Sequence, residues 1–256
     1  MQPTSYPHIN ALLDSLLSQM QIILGEKLVG LYLYGSLVMG DFDNEISDID
    51  LLAATATDID HVEFSALQKM QDDIVTKQKE WDDRLEIAYL SLHALKTFKS
   101  QTSQIAMISP GEPFHFKEAG RDRLLNWHVV REKGAVLFGP PPTAIIEATS
   151  KEEFIQVVKE HTIEWREWFD HMYSRPSQAY AILTMCRALY TYKNGEQVSK
   201  IQAAAWTEKE MPEWSSLINN AVLWRRAWRD NDVNHAATLP ETRRFVNFVV
   251  DQIVGV

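Results

Sequence analysis

Cysteine is almost missing: Cys186 is the only one in 256 residues. A single thiol cannot close an intramolecular disulfide, so nothing staples the fold and a reducing compartment is expected. Long apolar runs are also lacking. Charges interrupt each of them before it could span a bilayer, which argues against a membrane helix. The opening Met1-Gln-Pro-Thr-Ser-Tyr-Pro-His carries neither a basic leader nor an apolar stretch, so no secretory signal is expected and the chain reads as cytoplasmic. Basic charge is scarce as well, with 25 Lys and Arg against 35 Asp and Glu, a net charge of −10 and a pI near 5.3. Long nucleic acids are held through counterion release onto clustered Lys and Arg, so a polymeric DNA or RNA partner is not expected. The histidines show no His-Glu-x-x-His or Cys-His spacing, which argues against zinc.

What is present is an ordinary globular composition, 45% hydrophobic and 23% charged, with enough apolar material for a real core. The acidic balance suits a small cationic substrate drawn in by the field of the protein. Residues 9–24 place Ile9, Leu12, Leu13, Leu16, Leu17, Met20, Ile23 and Leu24 at helical spacing. Residues 27–34 read as a buried strand, 36–40 as a short helical turn, 41–45 as a polar loop, 48–54 as a second strand, 59–77 as a helix and 84–92 as a third strand. Met107 to Phe116, with Pro110, Gly111 and Pro113, reads as a loop. A helix near 121–133 leads to Ala135-Val-Leu-Phe-Gly139 and the break at Pro140-Pro141-Pro142. Beyond it the spacing is helical, over roughly 151–172, 177–193, 199–208, 212–229 and 240–253, with Ser150 and Glu153 fitting a capping box. The expected class is α+β: a mixed sheet with flanking helices over 1–149, then an all-helical bundle over 150–256.

Three strand ends carry residues of chemical interest. Gly35-Ser36 follows the first strand where a helical turn begins; a glycine there admits close approach of an anion, and free amides with the Ser36 hydroxyl can hold phosphate oxygens. On the second strand, Asp48 and Asp50 lie two apart and so face the same way. Their mutual repulsion asks for a cation, and magnesium prefers such hard oxygens together with phosphates. The third strand adds Glu86, opposite Leu85, Ile87 and Tyr89, as a further metal ligand or as a base taking a proton from a hydroxyl. Taken singly, each has a bland alternative: a plain turn, a solvated edge, a rim glutamate.

Together, Tyr34-Gly-Ser-Leu-Val-Met-Gly40, Ile46-Ser-Asp-Ile-Asp-Leu-Leu52 and Arg84-Leu-Glu-Ile-Ala88 resemble the nucleotidyltransferase superfamily. Ala135-Val-Leu-Phe-Gly-Pro140, Leu183-Thr-Met-Cys-Arg-Ala-Leu-Tyr190 and Ser199-Lys-Ile-Gln-Ala-Ala-Ala-Trp206 further resemble the aminoglycoside adenylyltransferases that modify streptomycin and spectinomycin. That resemblance implies a nucleotidyltransferase domain followed by a helical substrate-binding bundle. It implies Ser36 and Ser47 at the triphosphate, Asp48 and Asp50 on Mg2+, and Glu86 as catalytic base beside metal and acceptor. It also implies Arg187 and Lys200 at the phosphates and Trp228 near the nucleotide. ATP is the implied co-substrate, and antibiotic resistance the implied role.

The acceptor is read from residues 151–180. Glu160, Glu164, Glu167 and Trp168 share a face if 151–172 is one helix, and acid beside indole suits an aminocyclitol; a solvated acidic face with Trp168 in the core is the competing reading. Trp168 is singled out because it aligns with a tryptophan at the drug site of streptomycin-modifying relatives. Those relatives carry acids in the connection that follows, where this chain reads Tyr173-Ser-Arg-Pro-Ser177-Gln-Ala-Tyr180. Spectinomycin is therefore favoured over streptomycin. A protein hydroxyl as acceptor, or a nucleotide-binding sensor of the same fold, are the alternatives. The protein is expected to work as a monomer, without nucleic acid or membrane partners.

Overall fold

The computed structural model describes residues 2–225 and 234–255, and the side chains of 170 and 171 lie outside that description. The chain divides into two compact units, Met1–Phe42 with Ser47–Thr149, and Asp43–Ile46 with Ser150–Val256. No described helix is long and apolar enough to cross a membrane.

The first unit is built on a six-stranded sheet. Its strands are β1 (Leu28–Tyr34), β2 (Ile49–Thr55), β3 (Leu85–Ser91), β4 (Ser103–Ser109), β5 (Glu112–Ala119) and β6 (Ala135–Phe138), in the spatial order β5-β4-β3-β2-β1-β6. Only β2 and β3 run parallel; the other pairs are antiparallel. Helices α1 (Pro7–Leu24), α2 (Ser36–Met39), α3 (His61–Lys77), α4 (Leu92–Thr97) and α5 (Leu124–Lys133) accompany it.

Alternation sorts the strands into two faces. Odd positions Leu31, Leu33, Leu51, Ala53, Ile87 and Tyr89 join the core that Leu12, Leu16 and Met20 of α1 and Leu67, Met70 and Ile74 of α3 complete. The even positions Tyr34, Asp50 and Glu86 therefore share the other face. Helix α3 starts at a full capping box: the Asp60 side chain accepts from the amides of Val62 and Glu63 at 2.8 and 2.9 Å, while the Glu63 carboxylate accepts from the Asp60 amide. The proline run belongs to this unit, where the Tyr32 hydroxyl donates to the Pro140 carbonyl at 2.9 Å.

Two expectations change here. Residues 107–116 are not a loop but the heart of the β4–β5 hairpin, with Ser109 opposite Glu112. Gly111, at φ +81, makes the turn, and Pro113 lies on the outermost strand, where a missing N–H is tolerated. Phe114 and Phe116 then stack on Phe64 of α3 at 4.3 and 4.4 Å. The second strand starts at Ile49, so Asp48 stands just before it.

The second unit is helical: α6 (Lys151–Glu164), α7 (Arg175–Asn194), α8 (Lys200–Glu210), α9 (Ser215–Trp224) and α10 (Leu239–Val254). Helix α7 packs against the other four and carries buried Ile182, Leu183, Met185, Cys186 and Leu189 into their common core. The expected helix 151–172 is broken. Ser150 caps α6 by accepting from the Glu153 amide at 3.1 Å, but α6 ends at Glu164, Trp165 turns into the core, and Glu167–His171 tightens to a 3-10 helix. Likewise α9 begins only at Ser215, after a 3-10 turn at Pro212–Trp214, and the expected stretch beyond residue 225 lies outside the described residues.

Candidate active site

The site grows from the register of three strands. Asp50 is the partner of Tyr34 on β1 and of Glu86 on β3, so the three side chains lie side by side on one face. Asp48, just before the strand, brings its carboxylate to the same place. One carboxylate oxygen from each of Asp48, Asp50 and Glu86 lies within 4.8 Å of the others, and all three residues are half-buried.

Three negative charges so close raise each other's energy unless a cation joins them. Oxygens around a magnesium ion at about 2.1 Å lie roughly 3–4 Å apart, so small side-chain rotations would close this cluster onto one ion. The donor set is all hard oxygen, which suits Mg2+.

Gly35 explains why the cluster can sit so near the turn after β1. Its φ is +70, and a Cβ placed on it would come 1.8 Å from Asp50 Oδ2. Only glycine satisfies both the backbone and the space. The turn then closes as α2, with the Met39 amide donating to the Gly35 carbonyl at 3.0 Å and Gly40 ending it at φ +76. Within that turn the Ser36 hydroxyl is buried and makes no hydrogen bond to any described residue. A buried hydroxyl without a partner costs free energy, and a phosphate oxygen would satisfy it.

Three residues that sequence reasoning passed over hold this arrangement. The Tyr34 hydroxyl donates to Glu86 Oε1 at 3.0 Å. Burial, then the charges of Glu86 and Asp50, push its pKa well above the ordinary tyrosine value, while a hydrogen bond from Asn126 on α5 works the other way. Arg84 closes the other side. Its Nε donates to the Ser47 carbonyl at 2.9 Å, Nη2 donates to the same oxygen, and Nη1 reaches the Glu80 carbonyl at 3.2 Å. The guanidinium also lies 4.8 Å over the Trp81 ring. Ser47 itself is buried, so the Ser47-Asp48 backbone is pinned where the strand begins. A register partner of Asp50 was the only signal for Tyr34, and register is not readable before the pairing of strands is known.

Arg187 is half-buried on α7, and Lys200 opens α8 behind the Ser199 cap. Lys200 Nζ lies 3.7 Å over the Tyr180 ring, which is 5.8 Å from Trp165, itself 5.6 Å from Trp168. Trp168 is 53% exposed. It follows the end of α6, so it does not continue the helical face of Glu160 and Glu164; Glu164 meets His161 at 3.2 Å and Glu160 accepts from Gln156 at 3.0 Å. Arg175, the one charge in the 173–180 segment, lies 5.4 Å over Trp224. Gln178, fully buried, fixes the segment: its amide donates to the carbonyls of Met172 and His235, and its oxygen accepts from Thr238 and Thr242. Trp228 lies outside the described residues.

Sheet, strand-end acids and Gly-Ser turn together define the nucleotidyltransferase fold. Over 94% of this chain and 97% of the other, the structure aligns with the crystal structure of the spectinomycin adenyltransferase AAD(9) from Enterococcus faecialis with ATP and spectinomycin, at a TM-score of 0.72 and 15% identity. Residues 144–252 match the family model of the aminoglycoside adenylyltransferase C-terminal domain. A toxin–antitoxin structure with AMP-PNP aligns over 61% of this chain and 91% of its own at 14% identity and a TM-score of 0.30, too low to imply a shared fold. No curated protein matches the sequence.

Proposed function

We propose that the protein transfers AMP from ATP to a hydroxyl of an aminoglycoside or aminocyclitol, with spectinomycin favoured over streptomycin. The observation that carries this reading is the meeting of Asp48, Asp50 and Glu86 within 4.8 Å beside the Gly35-Ser36 turn. Asp48 and Asp50, with Glu86 within reach, would hold Mg2+. When bound, that ion supplies neutralisation of phosphate charge. Ser36, with its unsatisfied buried hydroxyl, and Ser47 would receive triphosphate oxygens. Glu86 takes the proton from the acceptor hydroxyl, the hydroxyl oxygen forms its bond to the α-phosphorus, and the bond from that phosphorus to the leaving pyrophosphate breaks. Such a reaction depends mainly on positioning and charge. Arg187 and Lys200 are the proposed phosphate-binding cations of the helical unit, Trp228 the proposed nucleotide contact, and Trp168 and Glu164 the proposed acceptor contacts.

The preference for spectinomycin rests on residues 173–180, which offer a guanidinium-bearing drug no carboxylate and one arginine already set over Trp224. ATP and spectinomycin, the ligands of the solved structure with the same fold, are the pair to test first. Mass spectrometry of the acceptor after incubation with ATP and Mg2+ should show one added AMP. Asp50→Asn and Glu86→Gln should each lower turnover about 100-fold or more. A broad aminoglycoside panel left unmodified by a protein that still binds ATP would overturn the acceptor and leave the nucleotidyltransferase chemistry standing. We further propose that the protein acts as a monomer in the cytoplasm, and light scattering at working concentration tests the first half of that.

A further inference from the structure

We infer that Tyr34 is a positioning residue for Glu86, setting the plane of its carboxylate so that one oxygen is presented to the reacting hydroxyl. The inference rests on Glu86 acting as the base, as proposed above. The last torsion of a glutamate joins an sp3 to an sp2 carbon and has only broad minima, so nothing intrinsic to the side chain fixes where its oxygens point. A strand can place the Cα of Glu86 but not that torsion.

The Tyr34 hydroxyl supplies a constraint on that torsion. It has one proton and donates it to Glu86 Oε1 at 3.0 Å. The tyrosine is itself held firmly. It ends β1, pairs directly with Asp50, is 5% exposed, and precedes Gly35, where an added Cβ would meet Asp50 Oδ2 at 1.8 Å. Asn126 on α5 also hydrogen-bonds the Tyr34 side chain. The result is a chain from α5 through β1 to the acid on β3, crossing the strand that carries Asp50. Partners of this kind, which touch a reactive or metal-binding side chain without touching substrate, typically change activity or metal affinity by about 10–100-fold when removed.

The test is Tyr34→Phe, which keeps the ring and removes only the hydroxyl, assayed in the full chain with ATP, Mg2+ and the acceptor found active. The expected result is a kcat lowered about 10-fold or more, a KM for ATP changed less than about twofold, and a thermal midpoint close to that of the parent. A purely structural role for the hydroxyl would move the midpoint and leave that split absent. An unchanged kcat overturns the inference. If Tyr34→Phe does not fold, Asn126→Ala decides the matter: a smaller kcat loss at constant KM supports it, and none overturns it. Glu86→Gln is assayed in parallel. If it keeps full turnover, the base assignment falls and the inference with it; if it is inactive while Tyr34→Phe is unimpaired, only the inference falls.

Discussion

A methyl group at Gly35 has nowhere to go. Its Cβ would sit 1.8 Å from Asp50 Oδ2, and the residue holds φ +70 and ψ −147, a region populated essentially by glycine alone. Gly35→Ala should therefore cost about 1–3 kcal/mol in urea unfolding and displace Asp50 as well. Its turnover should fall further than the stability loss explains. A variant with parental turnover and stability would mean that the turn relaxes freely. At Arg84 the argument is about the backbone it holds. Truncation in Arg84→Met leaves the Ser47 carbonyl without its two donors and should cost about 1.5–3 kcal/mol, with a higher Mg2+ concentration needed for half-maximal turnover. Magnesium titration of activity separates this from a plain stability effect, because a merely weakened fold would leave the half-saturation point in place.

Elements report on a second kind of sensitivity. Burial of His128 on α5 lowers its pKa below the ordinary 6.5. Between that lowered value and 6.5 the unfolded chain binds more protons than the folded one, so stability must fall as pH drops through 6.5 and level off only below the folded pKa. His128→Gln should flatten the unfolding free energy over that window, and an unchanged slope would assign the acid sensitivity elsewhere. The same elements show what could be read from sequence. Helices α1, α3 and α7 and strands β1, β2 and β3 were legible because one apolar period runs through each without a competing signal. The β4–β5 hairpin was not. Pro110, Gly111 and Pro113 spell a loop locally, and only the edge position of β5 and the stacking of Phe114 and Phe116 on Phe64 make strands of them. Nor was the break after Glu164, where burial of Trp165 overrides a helical period that continues in the sequence. At the candidate site, the meeting of Asp48, Asp50 and Glu86 beside Gly35 could be anticipated because residue type and spacing are written in the sequence. Tyr34, Asn126 and Arg84 could not, since an aromatic in an apolar strand, an asparagine in a helix and an arginine before a strand are ordinary until register places them against acid and backbone.

For the molecule as a whole, charge is the property that bears most directly on the acceptor. With 35 acids against 25 bases the chain carries a net charge of −10, and at neutral pH that field attracts cations and repels ATP alike. Compensation at the proposed site would then be local, through a bound cation and basic side chains, whereas capture of a cationic acceptor can use the whole surface. The two substrates should consequently respond to salt in opposite senses. Raising ionic strength from 0.01 M to 0.15 M shortens the screening length from about 30 Å to about 8 Å. Over that range kcat/KM for a cationic aminocyclitol should fall several-fold, while kcat/KM for ATP should hold or rise. The measurement is a pair of initial-rate series at fixed free Mg2+, with sodium chloride as the only variable. If acceptor kcat/KM is flat across the series, the acidic surface takes no part in substrate capture, and recognition of the cation then rests entirely on close contacts such as those proposed for Glu86, Glu164 and Trp168.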